Sequence, residues 1–221
     1  MKDSEFILKL LDINQPMAEN PTRFSTLALL LTSGRKLFGC NLETGKYELN
    51  EVNDENFIDK TYHSFQFTAL INYLILLEQI GSIFIKKNGS KIKETNGIFC
   101  ALTYFSSLTD TDKIEAIQAL RNSLVHKFGL ATEKKPHKMP PRKFILSIAR
   151  NSEIVEQPKS DWDGTFSDKS DETSTTIFIA DLIILIETVY QNVIQENKNG
   201  NVEMILKDGM SELESRYTFI Y

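Results

Sequence analysis

The sequence is poor in the residues that usually hold metals or carry thiol chemistry. Its only cysteines, Cys40 and Cys100, have no C-x-x-C spacing and read as reduced thiols packed as small core residues, which fits a cytoplasmic protein. Histidine occurs three times, as His63, His126 and His137, and no Cys or His pair has ligand spacing. No metal and no cofactor is therefore expected, although a site built from carboxylates alone stays open. A glycine-rich phosphate loop and a G-x-S-x-G elbow are both missing, which removes P-loop chemistry and the α/β-hydrolase nucleophile. No uncharged apolar run reaches the roughly eighteen residues that a membrane helix needs. The longest candidate, residues 177–186, is interrupted by Asp181, so no membrane association is expected. The opening Met1-Lys2-Asp3-Ser4-Glu5 is too acidic for a signal peptide.

What is present is an ordinary globular composition: 41% hydrophobic and 25% charged over 221 residues, enough chain for a sizeable core. A single domain is expected over 1–221. It would have an N-terminal elaboration at 1–55, a helical core at 56–198 carrying an insertion at 140–174, and a C-terminal extension at 199–221. The net charge of −5 argues against a general nucleic-acid coat protein. The charge is uneven, however. Lys127, Lys134, Lys135, Lys138, Arg142 and Lys143 form a basic block, and residues 153–172 form an acidic one. The basic block reads either as a solvated loop or as a collector of phosphates.

Periodicity gives most of the elements. Residues 4–11 read as a short helix. Residues 22–32 read as a buried helix with Gly34 as its stop, and 35–50 as short strands around Glu43-Thr44-Gly45-Lys46. Residues 59–87 are the first long helix, with Ala69, Leu70, Tyr73, Leu74, Leu77, Ile80 and Phe84 on its apolar face. A shorter apolar helix follows at 96–107. Asp112 and Glu115 then have the spacing of a capping box before a helix at 113–128, whose stripe is Ile114, Ile117, Leu120, Leu124, Val125 and Phe128. Residues 144–149 and 154–156 read as an inserted β-hairpin, and 157–174 as an acidic loop anchored by Trp162. Residues 175–197 form the second long helix, apolar on all sides at 177–186 and therefore central. Its Asp181 and Glu187 need partners if buried, and Arg121 is a candidate for either. Residues 201–221 leave a helix and a strand pair open. The whole reads as mainly α: a helical bundle with an inserted β-hairpin and a small N-terminal α/β elaboration.

The candidate chemistry lies in one stretch, Arg121-Asn122-Ser123-Leu124-Val125-His126-Lys127-Phe128-Gly129. His suits proton transfer near neutral pH, and the Arg fork matches a phosphate. Together they supply what cutting RNA without a metal requires: a base, an acid and a cation. On a wheel at about 100° per residue, Arg121 falls about 140° from His126, inside the apolar stripe. Three solutions stay open. The Arg stem curls to the edge of the site, the helix loosens before Gly129, or Arg121 is structural. Asn122, Glu115, His126, Ala119 and Ser123 share a polar or small-residue face, and its small residues Ala119 and Ser123 favour close approach of a second helix and a dimer through that surface.

Arg121-Asn122-x-x-x-His126 resembles the R-N-x-x-x-H motif of HEPN domains, a family of small helical bundles. The resemblance covers the middle and late chain and leaves out the first fifty residues. It implies a HEPN-like helical bundle and a metal-independent endoribonuclease of toxin–antitoxin or phage-defence type. It also implies a homodimer whose two motifs share a cleft, with RNA and an antitoxin or other protein as partners. Arg121 would hold the scissile phosphate, His126 would move protons and Asn122 would orient one or the other; Lys127, Lys134, Lys135, Lys138, Arg142 and Lys143 would collect the strand. A dimer also answers a chemical need, because one His per chain cannot both remove and deliver a proton in one step. Other family members have lost activity, so the alternative is a non-catalytic HEPN-like module for dimerisation or for binding a nucleotide or protein. In that case His126 satisfies helix-end carbonyls.

Overall fold

The computed structural model describes residues 3–13, 23–46, 60–87, 89, 96–132 and 140–220. In chain order its elements are α1 (Asp3–Leu11), β1 (Arg23–Ser25), α2 (Thr26–Phe38), α3 (Lys60–Ile83), β2 (Phe84–Lys86), α4 (Gly97–Phe105) and α5 (Thr111–Lys127). Then come β3 (Lys143–Ser147), β4 (Val155–Glu156), a 3₁₀ turn (Asp171–Thr173), β5 (Ser174–Phe178), α6 (Ile179–Lys198), β6 (Val202–Met204), α7 (Gly209–Tyr217) and β7 (Thr218–Ile220). The protein is mainly helical, as composition and periodicity suggested. No helix among the described residues is long and apolar enough to cross a membrane. The chain divides into two compact units, Met1–Ser106 with Ile186–Tyr221, and Ser107–Leu185.

In the first unit α3 packs against both α2 and α4. The expected stripe from Ala69 to Phe84 is buried throughout. Two departures come from the ends of elements. The helix of residues 22–32 begins later, capped by Ser25, whose hydroxyl accepts from the Leu27 and Ala28 amides. It runs through Gly34 to Gly39, which at φ 80° takes the left-handed conformation that ends the helix. Gly34 instead lets the Tyr73 ring come close, since a Cβ there would lie 2.9 Å from it. The first long helix stops at Ile83, and Phe84–Lys86 pairs antiparallel with Val202–Met204. The C-terminal stretch that sequence left undecided is both helix and strand: α7 is followed by β7, which pairs antiparallel with β1.

In the second unit the expected hairpin is replaced by a three-stranded sheet of order β3-β5-β4. β3 runs parallel to β5, and β4 antiparallel to it. The start of the presumed second long helix is thus the central strand. Thr175, Thr176 and Ile177 are β-branched and fit a pleated, buried surface. A parallel pair needs a crossover rather than a tight turn, and residues 148–173 supply it. Part of that crossover is the acidic loop, where Trp162 is 4% exposed, donates from Nε1 to the Thr165 carbonyl and packs edge-on against Phe166.

Candidate functional site

Helix α5 carries the motif. Its N-cap comes from the expected stretch 109–112 and is Asp110, two residues ahead of the capping-box spacing at Asp112: the Asp110 carboxylate accepts from the Asp112 and Lys113 amides. Ile114, Ile117, Leu120 and Leu124 are buried as expected. So are Ala119 and Ser123, each 2% exposed, so the small-residue face is packed inside the chain and does not offer a surface to a second copy. Ser123 Oγ lies 2.8 Å from both the Gly129 and Ala131 carbonyls and ties the segment after the helix back onto it.

The three motif residues come together at the open end of this helix. Arg121 Nη1 donates to Asn122 Oδ1 at 3.1 Å and lies 2.9 Å from His126 Nε2. A guanidinium has no lone pair to offer, so the imidazole accepts the bond, and Nε2 is its unprotonated nitrogen in this arrangement. The wheel separation is thus bridged by the length of the Arg side chain: the stem curls to the edge, while α5 itself stays helical to Lys127. Arg121 and Asn122 are half-buried, and His126 and Lys127 are exposed. The result is a cation within hydrogen-bond reach of both an amide and a proton-transfer group, with the imidazole open to water.

The helix ends on Phe128, not on Gly129. Phe128 has φ 53° and ψ 33°, its amide bonds to the Leu124 carbonyl, and the Gly129 amide bonds to Ser123. Expected in the apolar stripe, Phe128 is instead 73% exposed.

No family model, curated protein or solved structure matches this chain.

The basic block is distributed unevenly. Lys134, Lys135 and Lys138, like His137, lie outside the described residues. Arg142 donates from Nη1 to Gln157 Oε1 at 2.9 Å, and Lys143 Nζ lies 3.2 Å from both the Asp168 carboxylate and its carbonyl. The acidic loop therefore engages the end of the basic block. The Asp168 carboxyl is held down at about 2, first by the Thr173 hydroxyl at 2.6 Å, then by the Ser170 amide and Lys143. Lys113 likewise pairs with Glu153. Among the described residues, no group of three or more His, Cys, Asp or Glu side chains is placed to hold a metal ion.

The two carboxylates offered to Arg121 bond elsewhere. Asp181 accepts from Arg150 Nε at 2.7 Å and from the Asn151 amide at 2.9 Å. Glu187, in the first unit, takes Arg35 Nε at 2.8 Å, Arg35 Nη2 at 2.7 Å and the Tyr73 hydroxyl at 2.7 Å. Arg35 is 1% exposed, and its Nη1 donates to the Leu42 and Glu43 carbonyls, so every charged end of this buried pair is bonded. Burial alone would lower the Arg35 pKa, but the Glu187 bonds outweigh it and the net shift is upward. Burial raises the Tyr73 phenol well above its usual range, and Glu187 adds to that. Sequence reading missed Arg35 as a core residue; the usable signal was a Glu in an apolar helix that lacked a cation.

Proposed function

We propose that the chain is a metal-independent endoribonuclease of HEPN type that works as a homodimer and serves as a toxin or phage-defence effector. The observation that carries this reading is the contact of Arg121 Nη1 with both Asn122 Oδ1 and His126 Nε2 at a solvent-open helix end. A bound phosphodiester would draw the guanidinium to its oxygens and uncover the Nε2 lone pair. That nitrogen would take the proton of the 2′-hydroxyl. The 2′-oxygen–phosphorus bond would form and the bond from phosphorus to the 5′-oxygen would break, leaving a 2′,3′-cyclic phosphate. A protonated imidazole from the second copy would deliver a proton to the departing 5′-oxygen. Asn122 would hold Arg121 in place, and Lys127 with the basic residues beyond it would steer the strand. Because Ala119 and Ser123 are buried, the pairing surface would lie at the exposed edge of α5 around His126.

The test is incubation of purified protein with RNA in excess EDTA. Wild type is expected to leave 5′-hydroxyl and 2′,3′-cyclic phosphate ends, and His126→Ala to leave the RNA whole. Intact RNA with wild type, or equal cutting by His126→Ala, would sink the proposal. A second reading, a non-catalytic binding module, draws on the same bond, which occupies the imidazole lone pair while no phosphate is bound. It expects RNA binding that needs Arg121 but no strand scission.

A further inference from the structure

The first unit holds a cleft of about 340 Å³ bordered by α1, the end of α6, β6 and the start of α7. That is the size of a small-molecule site, and Ile7, Val202 and Met204 give it an apolar lining. Its polar groups are few and differ in character. Asn197 is only 3% exposed. Its Nδ2 donates to the Ser4 carbonyl at 2.9 Å, while among the described residues no donor meets its Oδ1. An amide oxygen on so buried a side chain calls for a donor. Lys87 Nζ donates to the Gly200 carbonyl at 2.8 Å, which uses one of its three N–H groups and leaves two for another acceptor. Gly209, the first residue of α7, also borders the cleft. Asp208 at the N-cap makes no side-chain cap bond, so the positive end of that helix is left for an outside acceptor. A Cβ at Gly209 would meet only Met204 Cε, at 4.0 Å, so there is room above that helix end. Glu203, exposed, is the one carboxylate among the lining residues.

We infer that this cleft binds a free α-amino acid with an apolar side chain, in its zwitterionic form. The carboxylate is held by Lys87 and the amino end of α7, where a cation and a helix terminus both favour negative charge. The ammonium donates to Asn197 Oδ1, with the Ser4 hydroxyl and Glu203 as further acceptors. The side chain lies against Ile7, Val202 and Met204. A simple anion would leave Asn197 Oδ1 unanswered and meet the charge of Glu203. A simple cation would meet Lys87 and the positive helix end. A ligand that carries both charges on a short carbon skeleton answers both sets of groups. No residue of the Arg121–His126 site takes part, so the inference stands apart from the nuclease reading.

The experiment is calorimetric titration of the full chain, without RNA, with L-leucine, L-methionine and L-phenylalanine. Two analogues of leucine accompany them: 4-methylpentanoate, which lacks the ammonium, and 3-methylbutylamine, which lacks the carboxylate. At least one of the three amino acids is expected to bind saturably. Each analogue is expected to bind about tenfold more weakly than leucine, or worse, since each forfeits a charge-assisted hydrogen bond. Lys87→Met, at an exposed position, should weaken amino-acid binding about tenfold and leave the amine analogue unaffected. Met204→Trp fills the apolar side and should abolish binding, with circular dichroism checking that the fold is kept. Absence of saturable binding by all three amino acids would overturn the inference. So would a 4-methylpentanoate affinity equal to that of leucine, which would make the cleft a site for carboxylates in general. Unchanged leucine affinity in both Lys87→Met and Met204→Trp would place the binding elsewhere on the chain and would overturn it too.

Discussion

Arg121 reaches His126 across five positions of one helix because its side chain is long, not because the two share a face. A shorter cation at that position could not span the same gap and also meet Asn122, so the site depends on that reach as well as on charge. A second residue-scale feature acts at the far end of the basic block. Asp168 has a carboxyl depressed from 3.8 to about 2, so its ionised form is favoured in the fold. A depressed carboxyl contributes stability that is present above its unfolded value and is lost as pH falls through the folded one. Asp168→Asn should therefore be less stable than wild type at neutral pH, with the gap closing between about pH 4 and pH 2. Thermal midpoints of both proteins across that range check it; a gap that persists unchanged at pH 2 would show that the carboxylate charge is not involved. The same variant removes the charge facing Lys143 and should strengthen RNA binding at low salt if that lysine meets phosphates.

At the scale of elements, α5 is capped by Phe128 in a left-handed conformation and not by the glycine that follows it. A Cβ at Gly129 would find only the Lys127 carbonyl, 3.9 Å away, and its φ is not left-handed, so Gly129→Ala should fall within about 0.5 kcal/mol of wild type. Gly81 is the opposite case. A Cβ there would stand 1.8 Å from the Gly97 carbonyl oxygen, so α3 and α4 touch backbone to backbone. Gly81→Ala should cost about 1–3 kcal/mol, a fall in midpoint of several degrees that calorimetry would resolve. Elements with long, strongly periodic faces, such as α3 and α5, were legible in the sequence. Their neighbours were not. Phe84–Lys86 and Ser174–Phe178 are short apolar runs joined directly to helices, and a run of that length has no period to distinguish strand from helix. The expected hairpin fails for the same reason: the middle strand of the sheet, Ser174–Phe178, overlaps the start of the helix expected at 175–197. In the motif, the wheel correctly separated Arg121 from His126, and only side-chain length, which a wheel does not represent, brought them together. Phe128 was misplaced because a wheel assumes helical φ at the last position.

For the molecule as a whole, α6 supplies residues 179–185 to one compact unit and 186–198 to the other. Just past that change lies Glu187, bonded to Arg35 and Tyr73. Through Arg35 the same pair holds the turn at residues 41–46, where Gly45 at φ 69° leaves no room for a side chain against Glu187. Glu187→Ala would strand a buried guanidinium and should cost about 3–5 kcal/mol, measured by denaturant unfolding; a loss under about 1 kcal/mol would mean that water or a neighbour replaces the carboxylate. The pairing of Arg23–Ser25 with Thr218–Ile220 has another consequence. During synthesis the early strand emerges from the ribosome nearly two hundred residues before its mate, and for that interval it presents an unsatisfied edge. The first unit thus cannot close co-translationally from its N-terminal half. A nascent polypeptide halted short of position 218 would leave the ribosome with that unit unfinished and prey to proteases.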